Sequence, residues 1–136
     1  MSTVRTGVGM GILLGIVLSA LLGVAAQPAH AQTVDECQAD IAGLRVQTLS
    51  TSFIGQNDAK DQAGLVGKLD SASTKLSQGK FQDALANLQS FRARVVALDQ
   101  QGKILDSDAS TIVAGADEAV ACVQGLIEAQ AARAAA

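Results

Sequence analysis

Phe81, Ala84, Leu85, Leu88, Phe91, Val95 and Leu98 recur at intervals of three and four, so a helix over residues 81–101 gathers them onto one continuous stripe. A chain carrying such a stripe folds by laying it against others of its kind. Three further segments share the period, and none alternates apolar and polar residues as a half-buried strand does. In residues 34–53, Val34, Cys37, Ile41 and Leu44 are spaced 3, 4, 3, with Asp35 and Glu36 at the positive end of the helix dipole. In residues 58–77, Leu65, Leu69, Ala72 and Leu76 are spaced 4, 3, 4.

The last helix opens after Ile104-Leu105, with Asp106 or Ser107 as the expected N-cap, since either side chain can accept one of the first free amide hydrogens. Ile112, Val113, Ala116, Val120, Val123 and Ile127 mark its expected core face, and the Ala-rich residues 129–136 are expected to fray. Gly55-Gln56-Asn57, Gly79 and Gly102 punctuate the segments; Gly79 suits the left-handed residue that follows a helix. Gly64 and Gly67 weaken helix propensity by up to about 1 kcal/mol each, which points to close helix approach there, and Gly115 reads the same way. The expected fold is all-α, a small antiparallel bundle of three to four helices over residues 32–128, joined by short loops. A faint echo at a spacing of fifty, in which Ile54, Asp58, Ala59 and Leu76 answer Ile104, Asp108, Ala109 and Leu126, is compatible with two duplicated hairpins.

Ahead of this domain, residues 1–31 have the three parts of a signal peptide. Arg5 is the only charge before Asp35. Residues 8–26 are apolar or small except Ser19, Pro28 breaks the run, and Ala29-His30-Ala31 puts small residues at the third and first positions before a cut at Gln32. The competing reading is an uncleaved anchor, because the run of about 19 residues spans most of a ~30 Å hydrocarbon core. Its glycines, the Pro28 break and the Ala-x-Ala site favour cleavage, and Arg5 holds the amino end inside in both readings. Contact with a membrane is expected only through this segment. Cys37 follows Val34-Asp35-Glu36 and lacks the small-residue box of a lipoprotein. The domain is therefore expected to be secreted or periplasmic.

That compartment decides how the cysteines are read. Cys37 and Cys122 are the only two, and an even pair in a small exported domain is most simply a disulfide, against free thiols or a bridge between chains. In the chain-entropy model, closing a loop of about 86 residues stabilises the fold by roughly 4–5 kcal/mol.

Composition removes several functions. Beyond Ala31 the chain has 13 acidic and 9 basic residues and no basic cluster, which disfavours nucleic acid, where phosphate binding needs grouped Lys and Arg. No His, Tyr or Trp remains and both cysteines are expected to be paired, so the usual general bases and the thiolate nucleophile are missing and no catalytic residues are assigned. Asp58 with Asp61, or Asp106 with Asp108, could be imagined as an acidic pair, but carboxylates at helix starts ordinarily serve caps and the dipole. Zinc lacks ligands, haem lacks an axial residue once Met1 and Met10 leave, and Asp106-Ser107-Asp108 supplies only two positions of a calcium loop. No cofactor and no metal is expected. Arg92 and Arg94, with Lys103 near in sequence, form the only local basic feature, ordinarily a solvated helix face. Two residues apart on a helix, the arginines point some 200° from each other, and Arg92 is the candidate contact for an acidic partner.

Gly64-Leu65-Val66-Gly67-Lys68-Leu69-Asp70, then Leu76, Gly79, Ala84, Leu88, Phe91, Val95, Gly102, Lys103 and Ile104, form a recurring pattern. It resembles the FIMAH-type helical domain of bacterial exported proteins over roughly residues 44–126. The resemblance implies a non-catalytic module, usually appended to a larger extracellular protein, and carries over no functional residues. Arg92 departs from it, standing where that family often has an apolar residue after the Phe. The expected function is an exported, non-enzymatic module that binds a protein or a cell-envelope component. The alternative is a secreted structural bundle or one that inhibits an enzyme.

Overall fold

A computed structural model describes residues 32–135 of the protein, in four helices: α1 (Val34–Ser50), α2 (Asp58–Ser77), α3 (Phe81–Gln100) and α4 (Asp106–Ala135). Of the residues assigned to signal cleavage, Ala29 and Ala31 lie outside the described residues and Gln32 lies within them. Each helix packs on its neighbours in sequence, and α1 closes the ring against α4, while the backbones of the diagonal pairs stay apart. The chain is an all-α, up-and-down antiparallel bundle among the described residues.

The stripes meet in the middle. Ile41 and Leu44 of α1, Leu65, Leu69 and Leu76 of α2, Leu88, Phe91, Val95 and Leu98 of α3, and Ile112 and Val123 of α4 are all buried, and Phe91 is fully so. Thr48 continues the α1 stripe although it is polar; it is fully buried because its hydroxyl donates to the Leu44 carbonyl at 2.8 Å, leaving its methyl to the core. Gly79 and Gly102 have φ of 73° and 68°, the left-handed conformation that lets the chain reverse after α2 and α3.

Four expectations are corrected. α1 stops at Ser50 instead of running to residue 53: Thr51 turns extended, and Gln62 of α2 donates from Nε2 to the carbonyls of Thr48 at 3.2 Å and Leu49 at 3.1 Å, satisfying acceptors that another turn of helix would have used. α4 begins at Asp106, so neither Asp106 nor Ser107 is its N-cap. The Leu105 carbonyl accepts from the Ala109 amide at 2.9 Å, which gives the cap position to an apolar residue. The core face of α4 is built from Ala109, Ala116 and Ala119 with Ile112, Cys122, Val123 and Leu126, while Val113, Val120 and Ile127 are only half-buried. Alanine takes the centre because close helix approach leaves room for little more than a methyl group.

Gly64 and Gly67 are the fourth correction. An added Cβ at either would meet nothing within 4 Å, so they mark no helix contact. Gly115 does: a Cβ there would stand 3.1 Å from Leu44 Cδ1 and 3.3 Å from Gln47 Oε1. The fifty-residue echo joins unlike environments, for Ile104 is buried while Ile54 is half exposed.

α4, with 30 residues, outruns α3 with 20. The Arg92–Asp117 pair sets their register, so the start of α3 at Phe81 lies opposite the region of Glu128 and the last turns of α4 extend past it. By length and composition α4 is apolar enough to cross a membrane, its most apolar 18-residue window having a mean hydropathy of 1.2. Its alanine-rich core face gives it that character inside a bundle as well.

Candidate functional site

The first feature the sequence singled out is in place. Cys37, four residues into α1, and Cys122 of α4 form a disulfide with a Cα–Cα distance of 5.5 Å, possible because α1 and α4 run antiparallel side by side. Gln32 lies over this end of the interface: its Oε1 is 3.1 Å from Cys122 Sγ, and its Cγ would be 2.8 Å from a Cβ added at Gly125.

The two arginines of α3 diverge as their spacing requires. Arg92 Nε donates to Asp117 Oδ1 of α4 at 2.6 Å, and Arg94 donates to Asp61 Oδ1 of α2 at 2.8 Å. Arg92, the candidate partner contact, is thus bound into an exposed ion pair between neighbouring helices, as Arg45 is with Asp70 at 2.9 Å. Such exposed pairs are each worth little, about 0–1 kcal/mol.

Asp61 lies in the first turn of α2 as expected, but it does more than serve the helix start. Its side chain is only 7% exposed, and it accepts from both Arg94 and Lys103, the latter at 3.2 Å. The Lys103 hydrogen bond, helped by Arg94 and opposed by burial, holds its carboxyl below the usual aspartate value of 3.8. The carboxylate ties α2, α3 and the α3–α4 connection together at one end of the bundle. Asp58 keeps the expected role, accepting from the Ala59 amide at 2.7 Å in the first turn of α2.

At the same end, Asp99 near the close of α3 has a carboxylate oxygen that is buried and has no hydrogen-bond partner among the described residues. Competition with the neighbouring Asp106 carboxyl for one proton, then partial burial and repulsion between the two carboxylates, raise its pKa above the usual 3.8. This pairing of Asp99 with Asp106 was not legible, because Asp106 read as a partner of Asp108. The local signal, a helix-closing and a helix-opening aspartate flanking a short Gly loop, is common in helical hairpins. The capping box of α1 was legible in principle: Thr33 accepts from the Glu36 amide at 3.2 Å while Glu36 accepts from the Thr33 amide at 2.9 Å.

The exposed surface has two uneven features. The large apolar residues exposed among those described are Val46 (66%), Leu49 (47%), Ile54 (49%) and Leu105 (54%). Val46 and Leu49 lie near the end of α1, Ile54 in the α1–α2 connection and Leu105 just before α4; the Ile54 amide donates to the Lys103 carbonyl at 2.8 Å, linking the two connections. All four therefore belong to one end of the bundle. The second feature is charge. α1 and α4 hold eight acidic residues against two basic ones, Arg45 and Arg133, whereas α2, α3 and the connections beside them hold five acidic and seven basic. Between α1 and α4 runs an open groove of about 520 Å³.

No group of three or more His, Cys, Asp or Glu residues that could hold a metal occurs among the described residues. Comparison with family models, with curated proteins and with solved structures finds no match to this chain.

Proposed function

We propose that the protein is an exported, non-catalytic helical module that binds a protein or a cell-envelope component outside the cytoplasm. One observation carries the binding reading: the four large exposed apolar side chains, Val46, Leu49, Ile54 and Leu105, gather at one end of the bundle while the other large apolar residues of the described domain are buried or half-buried. Scattered single apolar residues are ordinary on a surface, whereas a grouped set marks a contact. The FIMAH resemblance agrees with a module of this kind; it rests on Leu65, Leu69, Leu76, Leu88, Phe91, Val95 and Ile104, which are core residues, and on the turn glycines Gly79 and Gly102.

Export is supported by the charged start, apolar run and Ala-x-Ala site of residues 1–31, and by a disulfide of the sort that persists in oxidising compartments. The intact mass of the protein recovered from the medium or periplasm tests it: a chain beginning at Gln32 is expected, and a mass that includes Met1 to Ala31 contradicts cleavage. For binding, the test is affinity capture from the culture medium and envelope fraction, comparing the protein with its Val46→Ser, Leu49→Ser double variant. A partner retained by the first and lost by the second supports the reading, and no specific partner of either contradicts it. A captured secreted hydrolase whose activity falls on binding would make the module an inhibitor.

A further inference from the structure

The open groove between α1 and α4 lies on the acidic side of the bundle. Its lining runs along α1 from Ala39 to Ser50, about 16 Å or three helical turns. Small residues take much of its lining, Ala39 and Gly43 on α1 and Gly115 on α4, together with Leu44, Val46 and Gln47. Two carboxylates rim it, Asp40 from α1 and Glu118 from α4. Unlike Asp61, Asp70 and Asp117, neither has an ion-pair partner among the described residues.

The two glycines do different work. Gly115 is needed inside the protein, because a Cβ there would press on Leu44 and Gln47. Gly43 has no such internal reason, since a Cβ there would meet nothing within 4 Å. Its missing side chain leaves an open notch in a helix that alanine would favour by about 1 kcal/mol.

We propose that this groove seats a cationic amphipathic helix of a partner protein, about three turns long. Its apolar face lies over Gly43 and Val46, and its Lys or Arg side chains reach Asp40 and Glu118. Charge complementarity selects this occupant: α1 and α4 carry the whole excess of negative charge of the described domain, and Asp40 and Glu118 have no ion-pair partner among the described residues. Shape agrees, for two antiparallel helices with small residues between them leave a trough in which a third can lie at the usual 8–10 Å spacing. The inference rests on the binding-module reading above and names the chemistry of its partner.

The test uses the disulfide-bonded protein, a synthetic Lys/Leu/Ala amphipathic helix of 14 residues as probe, and the same peptide with Glu for every Lys. The cationic peptide is expected to shift the amide resonances of Gly43, Val46 and Gly115. Its Kd should rise at least tenfold in Gly43→Leu, which fills the notch from a position where an added Cβ meets nothing within 4 Å, and in Asp40→Lys with Glu118→Lys. Circular dichroism of each variant checks that the fold is kept. Absence of binding, equal binding of the Glu peptide, unchanged affinity in both variants, or shifts confined to the Arg92 side of α3 overturn the proposal. Capture of the natural partner separates the two levels. If Gly43→Leu still captures it and Val46→Ser with Leu49→Ser does not, the groove is wrong and the binding module stands; if the unaltered protein captures nothing, the module reading itself fails.

Discussion

Leu44 of α1 lies against Gly115 of α4, two turns along each helix from the disulfide that joins Cys37 to Cys122. The covalent bond and the Leu44–Gly115 contact therefore share one antiparallel register. The disulfide closes the ring of four helices by linking the first to the last, across a sequence separation of 85.

Reduction should therefore act on the unfolded state while leaving the α1–α4 contact able to re-form. Cys37→Ser with Cys122→Ser is expected to lower stability by about 4–5 kcal/mol in the chain-entropy limit, with the helical spectrum kept below the new midpoint. Chemical unfolding of the two forms measures it. Labelling of the native protein by a thiol reagent at full stoichiometry would contradict the bridge.

Phe91 fills the centre of the bundle with no exposure. Phe91→Ala should cost about 3–5 kcal/mol, as large-to-small core changes do. A loss below about 1 kcal/mol in urea unfolding would mean that α3 presents another face to its neighbours.

The exposed glycines of α2 should behave in the opposite way. Gly64→Ala and Gly67→Ala meet no atom within 4 Å and should each raise stability by about 0.5–1 kcal/mol through helix propensity alone. Gly115→Leu should lower it, because the new side chain displaces Leu44 from α4. Thermal unfolding of the three variants separates packing glycines from merely permissive ones.

Two aspartates at the same end should give stability opposite pH signatures. Asp61, held below its ordinary value by Lys103 and Arg94, stabilises the fold above pH 3.8, and that contribution is lost as pH falls through its lower folded value. Asp61→Asn should then lower the melting point at pH 7 by more than Asp58→Asn does, with the difference shrinking below pH 3.8. Asp99, raised by Asp106, opposes folding above its folded pKa, and the opposition is gone below 3.8. Asp99→Asn should raise the melting point at pH 7 and leave it unchanged at pH 3. Melting curves from pH 3 to pH 7 test both, and parallel curves for either variant would contradict its assignment.

The helices were legible because period and punctuation coincided: α2 spans the residues that its leucine stripe and Gly79 mark out. The end of α1 was not, because it is set by Gln62, a residue of the next helix whose amide reaches back to Thr48 and Leu49. The face of α4 was misjudged by ranking side chains by size, when a tight interface puts Ala109, Ala116 and Ala119 inside and leaves Val113 and Val120 at the margin. Asp61 read as a helix-start charge because its two cations come from residues 33 and 42 positions away. The candidate site was the least legible part. Val46 and Leu49 stood off the α1 stripe and drew no attention in the sequence, and only the folded bundle shows them exposed at the same end as Ile54 and Leu105.

The central claim is that the apolar end of the bundle is a binding surface, and hydroxyl-radical footprinting tests it most directly. The protein is labelled free and in complex with the partner it captures, and oxidation is read residue by residue. Protection of Val46, Leu49, Ile54 and Leu105 on binding, with Arg92 and the α2–α3 side unchanged, is the predicted result. Unchanged labelling of those four residues, or protection centred on Arg92 and Asp117, would contradict the account.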